Sequence, residues 1–151
     1  MPVITTWEFN DFIRLEKREL VGAGLRIHIF DLNGEWGSFN LYSGIGVMYE
    51  SEKFNISSDD IKKKDSSLLK STNYISIKYN SKKFSINNVT YFQTNFEKNS
   101  STRINSDLQF SVKLSKILSY TAGINYRYDS YPAPSVKNYD LQIKNGLKIS
   151  F

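Results

Sequence analysis

Few residues in this chain of 151 have the types and spacing that catalysis needs. The one histidine is His28, in the segment "RIHIFDLN", and no nearby serine completes the His–Ser pair that lipid hydrolases use. The chain has no cysteine, so no disulfide and no thiolate metal site is available. We therefore expect His28 to be a structural residue on the polar face of a strand, and we expect no enzymatic activity.

Metal and phosphate chemistry have equally little support. Asp59, Asp60 and Asp65 lie in one segment and offer only carboxylate oxygens, which leaves weak calcium binding as an alternative to a solvated loop. The segment "VGAGLR" imitates a phosphate-binding loop, but it lies within a strand pattern and no helix follows it. We expect no metal and no cofactor.

The basic balance of the chain suggests an anionic partner only weakly. The net charge is +5 and the pI about 9.3, but the acids and bases are interspersed outside the run "DDIKKKD". The aromatic residues lie on the aliphatic faces of the strands, away from the lysines, so they form no charged stacking platform for bases. We therefore expect no nucleic-acid partner.

The elements that position these residues are strands. Polar and apolar residues alternate in the tail "YDLQIKNGLKISF", and the same period of two recurs in most other segments. Helix evidence is limited to "SSDDIKKKDSSLLK", which could form one or two turns, and no apolar run reaches the roughly 18 residues of a membrane helix. One domain over residues 1–151, with about eight strands, is predicted.

The predicted links between strands alternate in length. "YPAPSVKN", "EKNSSTR" and "SEKFNISSDDIKKKDSSLLK" are long, "SKI" and "NSKK" are short, "DLNGEW" is intermediate, and a short "EKRE" departs from the pattern. Short turns at one end and long loops at the other are typical of outer-membrane barrels. We therefore predict an all-β, antiparallel, up-and-down transmembrane β-barrel.

The arrangement of residues on each face indicates which face lines the interior. Aromatic residues flank the aliphatic residues of several strands, as Tyr139 and Phe151 do in the tail, which is typical of the two interfaces of a bilayer. The opposite face carries glycines and charged residues of both signs, as expected for a narrow, charge-paired lumen. The predicted lumen-facing residues are Arg26, His28, Glu50, Lys78, Asp107, Lys113, Arg127, Asp129, Asp140 and Lys144.

Three segments resemble the salt-induced outer-membrane protein family, a domain of unknown function: "FIRLEKRELVGAGLR", "GIGVMYESE" and "YDSYPAPSVKNYDLQIKNGLKISF". The resemblance covers most of the chain. Members of that family usually carry an export signal and further strands upstream. The start "MPVITTWEFND" lacks such a signal, so we expect a cytoplasmic protein or a mature or truncated chain, and either eight strands or the C-terminal part of a wider barrel.

The expected location is the outer membrane of a Gram-negative bacterium, with a structural or envelope-stress role. A channel for small solutes and a soluble, lipocalin-like ligand-binding barrel are the alternatives. The C-terminal residues Leu147, Ile149 and Phe151 resemble the signal that outer-membrane proteins present to the barrel assembly machinery. The expected partners are outer-membrane lipid, that machinery and a partner in an outer-membrane complex.

Overall fold

The computed structural model describes residues 3–10, 15–54, 66–96, 101–132 and 135–149, which form one antiparallel sheet. The strand order equals the chain order, with each strand paired to the next. The strands are β1 (Val3–Asn10), β2 (Leu15–Gly34), β3 (Gly37–Phe54), β4 (Ser66–Asn80), β5 (Phe84–Asn95), β6 (Thr102–Lys113), β7 (Leu118–Asp129) and β8 (Tyr139–Ile149).

The prediction of an all-β, up-and-down arrangement of about eight strands is confirmed. Closure into a barrel is not, because no ladder joins β1 to β8 within the described ranges, so the sheet is open there. Among the same residues, no helix is long and apolar enough to cross a bilayer.

The pairing register fixes which side chains share a face, because residues directly opposite each other in a ladder point to the same side. Glu50, Tyr74, Arg103 and Lys144 belong to one side, which we call the inner face. The opposite side, the outer face, carries the aliphatic residues. The polar residues predicted to face the lumen all fall on the inner face by register: Arg26, His28, Glu50, Lys78, Asp107, Lys113, Arg127, Asp129, Asp140 and Lys144.

One expected face assignment changes at a bulge in β2. The register shifts between His28 and Phe30, so the intervening Ile29 has no direct partner in β3. A bulge of this kind places two residues against one on the neighbouring strand. Beyond it, Phe30 and Leu32 lie opposite Leu41 and Phe39 on the outer face. The alternation of inner-face and outer-face residues in β2 therefore changes phase at Ile29.

At one end of the sheet, the bounds of the links between strands differ from the sequence prediction. "DLNGEW" reduces to the turn at Glu35 and Trp36, because residues 31–34 extend β2. "EKRE" is no turn, since residues 16–19 lie inside β2. The link after β4 is residues 81–83 and the link after β6 is residues 114–117. These three turns define the short-turn end of the sheet.

The other end, the long-loop end, also differs from the prediction. The residues predicted as a long loop with one or two helical turns include the end of β3 and the start of β4, and residues 55–65 between them lie outside the described ranges. Thr102 and Arg103, expected in a loop, begin β6. The links at this end are residues 11–14, 55–65, 96–101 and 130–138.

The sheet curls so that the inner face is concave. Neighbouring strands are about 4.8 Å apart, so β3 and β6 are separated by about 14 Å along the sheet. Nevertheless, the guanidinium of Arg103 in β6 reaches the carboxylate of Glu50 in β3, with 2.7 Å between Nη1 and Oε1. A contact of that length across two intervening strands requires strong curvature.

The curled sheet has almost no apolar core. Among the described residues, Met48 is the one hydrophobic side chain that is buried. Many large apolar side chains on the outer face are instead exposed, from 36% for Phe110 to 65% for Ile143 and 66% for Leu147. The arrangement is therefore inverted relative to a water-soluble barrel, which turns its apolar residues inward.

The turn between β2 and β3 provides a test of this fold. Gly37 has a φ of +141°, and a Cβ at this position would lie 2.2 Å from the carbonyl oxygen of Asn80. We expect Gly37→Ala to lower the free energy of unfolding by about 1–3 kcal/mol in a urea titration, because strain at such a position is of that size. Gly34→Ala is the matched control, since nothing lies within 4 Å of its Cβ position. Equal effects of the two substitutions would contradict the turn geometry.

Candidate functional site

The most distinctive chemistry of the inner face lies at its long-loop end. Six charged side chains from five strands meet there, and we call them the ion-pair cluster. Its members are Arg18 of β2, Glu50 and Glu52 of β3, Lys70 of β4, Arg103 of β6 and Asp129 of β7. Each of the six lies close to the long-loop end of its strand.

Arg103 is the centre of the ion-pair cluster and contacts three carboxylates. Its Nη1 donates to Glu50 at 2.7 Å, its Nη2 lies 2.9 Å from Glu52 Oε1, and its Nε donates to Asp129 Oδ2 at 2.8 Å. A planar guanidinium suits this role because its five N–H donors point in fixed directions. The side chain thereby connects β3, β6 and β7.

Two further cations complete the ion-pair cluster. Lys70 Nζ donates to Glu50, and Arg18 Nε donates to Glu52 Oε1 at 2.8 Å. Glu50 and Glu52 are each 2% exposed, Lys70 1% and Arg103 8%. Four of the six charged groups are thus buried, Arg18 and Asp129 are partly exposed, and each of the three positive and three negative groups is opposed by a charge of the other sign. Such balance is needed because an isolated charge is very costly to bury.

This chemistry favours a structural role over a catalytic one. Each buried carboxylate already accepts hydrogen bonds from cations, so no free base or nucleophile is presented to a substrate. Among the residues that the structure describes, no group of three His, Cys, Asp or Glu is arranged to hold a metal ion. Asp59, Asp60 and Asp65, the weak calcium candidates, lie outside those residues.

A large cavity continues from the ion-pair cluster along the inner face, with a volume of about 1170 Å³. Glu50, Arg103 and Asp129 form part of its wall at the long-loop end. Neutral polar groups from β5 to β8 line much of the remainder. They include Asn87, Gln93, Asn105, Gln109, Asn125 and Gln142.

A second cavity of about 380 Å³ lies between β5 and β8. Its lining includes Ser85 and Ser111, which lie near the short-turn end of their strands. Asn87, Gln109 and Lys144 line both cavities.

The predicted lumen-facing residues divide into three groups. One group lines the large cavity: Glu50, Asp107, Arg127, Asp129, Asp140 and Lys144. In the second group, the Arg26 guanidinium lies 4.1 Å from the centre of the Tyr42 ring, and His28 stacks on that ring at 4.5 Å. Lys78 and Lys113 form the third group and lie on the inner face towards the short-turn end.

The predicted assembly signal is only partly within the described residues. Phe151 lies outside them. Leu147 and Ile149 lie on the outer face of β8, with 66% and 57% of their surface exposed.

Sequence reasoning missed four members of the ion-pair cluster: Arg18, Glu52, Lys70 and Arg103. It placed them in links because charged residues near serine, asparagine and lysine runs are typical of loops. The period of two continues through them, however. Glu52 follows Glu50 by two residues and Arg103 precedes Asn105 by two, so extending each alternation by one step would have placed both on the inner face.

Removing the negative charge of Glu50 tests whether the charges of the ion-pair cluster stabilise one another. We expect Glu50→Gln to lower the free energy of unfolding by about 3–5 kcal/mol, because Lys70 and Arg103 would lose a buried counter-charge. The double variant Glu50→Gln with Lys70→Met should recover part of that loss, as measured by urea titration in a double-mutant cycle. Independent, additive effects would contradict the coupling.

The exposed pair Lys17 and Glu19 is the control for that experiment. Their side chains are 49% and 41% exposed, with 2.8 Å between Nζ and Oε1. Exposed ion pairs contribute about 0–1 kcal/mol, so Glu19→Gln should have a small effect.

Comparison with known proteins identifies the family. The comparisons with curated proteins and with solved structures gave no match. A family model described as "Protein of unknown function, DUF481" matches residues 2–151. The match extends over nearly the whole chain, and the chain therefore belongs to this family of proteins of unknown function, DUF481.

Proposed function

We propose that this chain forms the wall of a β-barrel in the outer membrane of a Gram-negative bacterium, with a structural or envelope-stress role. The observation that carries the proposal is the inverted distribution of side chains. Residues such as Leu25, Val47 and Leu141 are 50–59% exposed on the outer face, while charged groups are buried on the inner face. A contiguous apolar surface of this extent favours lipid as its surroundings over water.

Aromatic residues of the outer face support the same proposal. Near the short-turn end they form a belt in which the rings of Tyr79 and Phe84 lie 5.3 Å apart and those of Phe84 and Phe110 lie 6.2 Å apart. This belt comprises Phe30, Phe39, Tyr79, Phe84, Phe110 and Tyr120. The belt near the long-loop end comprises Tyr49, Phe92, Tyr126, Tyr128 and Tyr139. Trp and Tyr are enriched at both interfaces of a bilayer.

The spacing of the two belts suits a bilayer. Tyr120 and Tyr128 belong to different belts and lie eight residues apart in β7. That separation is about 27 Å along the strand at roughly 3.4 Å per residue, or about 21 Å along the membrane normal at a tilt of about 40°. The apolar band of an outer-membrane barrel is about 25 Å tall.

A bilayer also sets a requirement for the edges of the sheet. Unpaired N–H and C=O groups cannot face hydrocarbon, so the free edges of β1 and β8 must be paired in a membrane. Pairing of β1 with β8 would close eight strands, and additional strands would make a wider barrel. Both arrangements keep the face assignment unchanged.

The large cavity is the observation that bears on a channel function. Its polar lining suits small hydrophilic solutes, and the ion-pair cluster forms part of its wall at the long-loop end. Because the buried charges there are paired with one another, the arrangement supports the structural role over an ion-selective channel. The soluble ligand-binding alternative has less support, because it needs an apolar interior and Met48 is the one buried hydrophobic side chain among the described residues.

The membrane proposal predicts detergent-dependent folding. The purified chain should refold to a β-rich form in detergent micelles and not in plain buffer, because its outer face needs an apolar environment. In gel electrophoresis the unboiled sample should migrate differently from the boiled one, and circular dichroism should report strand content. A monomeric, β-rich protein in buffer without detergent would contradict the proposal.

Neighbouring residues of β8 provide a test of the face assignment. Ile143 is 65% exposed on the outer face, whereas Gln142 lines the large cavity. Ile143→Arg should cost about 2–4 kcal/mol when measured by urea-dependent unfolding in lipid vesicles, because it places a charge in the hydrocarbon near mid-bilayer. Gln142→Arg should have only a mild effect, and equal costs would show that the faces are wrongly assigned.

A further inference from the structure

Charge is unevenly distributed along the inner face. In the half nearer the long-loop end, acids and bases are intermixed, and the members of the ion-pair cluster oppose one another. Towards the short-turn end the inner-face charges are mainly lysines. We call these the lysine set: Lys78, Lys113, Lys144 and Lys148.

The lysine set is not neutralised by nearby acids. None of its four members forms an ion pair with another described residue, and all four are exposed. Asp31 is the inner-face acid of β2 in this half, and its Oδ1 accepts a hydrogen bond from Asn33 Nδ2 at 2.9 Å. Several positive charges on one concave surface give this end of the interior a positive potential, which attracts anions.

Hydrogen-bonding groups lie among these lysines. Lys113 and Lys148 are both directly opposite Ser119 in their ladders, so a serine lies between the two lysines on the same face. The cavity of about 380 Å³ is lined by Lys144 and by the hydroxyl-bearing residues Ser85, Ser111 and Thr121. Ammonium and hydroxyl donors together are suited to the oxygens of phosphate or carboxylate.

An unsatisfied acceptor in the same cavity narrows the ligand class. The Oδ1 atom of Asn87 is buried and accepts no hydrogen bond from any described residue. Asn87 lines the cavity together with Lys144. A buried acceptor without a donor is unfavourable by the cost of its desolvation, so a ligand that carries an O–H group suits the position. Monohydrogen phosphate has such a group in addition to its acceptor oxygens.

From these observations, we infer that the cavity of about 380 Å³ binds small phosphate-type oxyanions through Lys144, the cavity hydroxyls and Asn87, while the other three lysines of the lysine set add positive potential at the short-turn end. The site is distinct from the ion-pair cluster, whose charges are already paired. It does not depend on the membrane proposal, because the charge distribution and the cavity belong to the sheet itself. The same chemistry would accept free phosphate or the phosphate of a lipid headgroup.

The test is a titration of the folded protein with inorganic phosphate in uncharged detergent micelles. Isothermal calorimetry and phosphorus NMR measure the binding. If the protein proves soluble without detergent, the same titration is made in buffer. We expect saturable binding that Lys144→Gln weakens by about tenfold or more, since hydrogen bonds to charged groups contribute strongly to affinity. Lys113→Gln with Lys148→Gln is a second, independent variant, which should also weaken binding because it lowers the positive potential at this end. Circular dichroism of each variant verifies folding.

Lys53→Gln is the matched control, because Lys53 lies at the long-loop end, opposite Lys17. It removes one positive charge from the protein and should leave phosphate affinity within about twofold. No saturable binding at millimolar phosphate, or equal weakening by Lys53→Gln, would overturn the inference. Weaker binding of sulfate than of phosphate would support the role of Asn87, and equal affinity would overturn that role.

A further titration distinguishes free phosphate from the phosphate of a lipid headgroup as the ligand. The titration is repeated in micelles that contain phosphatidylglycerol. Loss of phosphate binding would show that the lipid headgroup occupies the site, and unchanged affinity would identify the free anion as the ligand. Both results support the shared oxyanion site.

Discussion

The antiparallel register is the constraint on which the other features of this protein depend. Seven ladders join eight strands, and in each ladder residues directly opposite each other share a face. A slip of one residue in any ladder would move the charged residues of that strand to the outer face. The bulge between His28 and Phe30 has the opposite effect, because it restores the alternation where β2 would otherwise present Asp31 outward. The cavities, the aromatic belts and the lysine set all follow from this register.

The curvature of the sheet brings together inner-face residues of strands that are not neighbours. Arg103 can reach Glu50 and Glu52 only because three neighbouring ladders bend towards the inner face. Buried ion pairs are weak evidence for stability, since desolvation offsets much of their attraction. Their geometric requirement is nevertheless strict, because flattening the sheet would separate Arg103 of β6 from Glu50 and Glu52 of β3. We interpret the ion-pair cluster as a device that specifies curvature at the long-loop end.

Much of the fold could be predicted from the sequence because the side-chain period of a strand is visible in the residues themselves. The strands of the C-terminal half, from β6 to β8, were predicted most clearly, since their polar and apolar residues alternate with few exceptions. The bulge at Ile29 could not be predicted, because an extra residue in one strand leaves the local pattern almost unchanged. Arg103 and Lys70 could be placed on a face by extending the alternation, but their meeting with Glu50 depends on curvature across several strands.

The near balance of inner-face charges hides their uneven distribution along the strands, which composition alone could not predict. Counted together, the acids and bases of the inner face nearly cancel, which suggested uniform pairing. Their positions separate into a paired group near Arg103 and a group near Lys113 and Lys148 that forms no ion pair with the residues that the structure describes. A group of paired charges at one end and a set of lysines at the other differ from a mixed lining, since only the lysine set gives a positive potential that concentrates anions. The interior is therefore better described as a polar compartment with two chemically distinct ends than as a uniform pore.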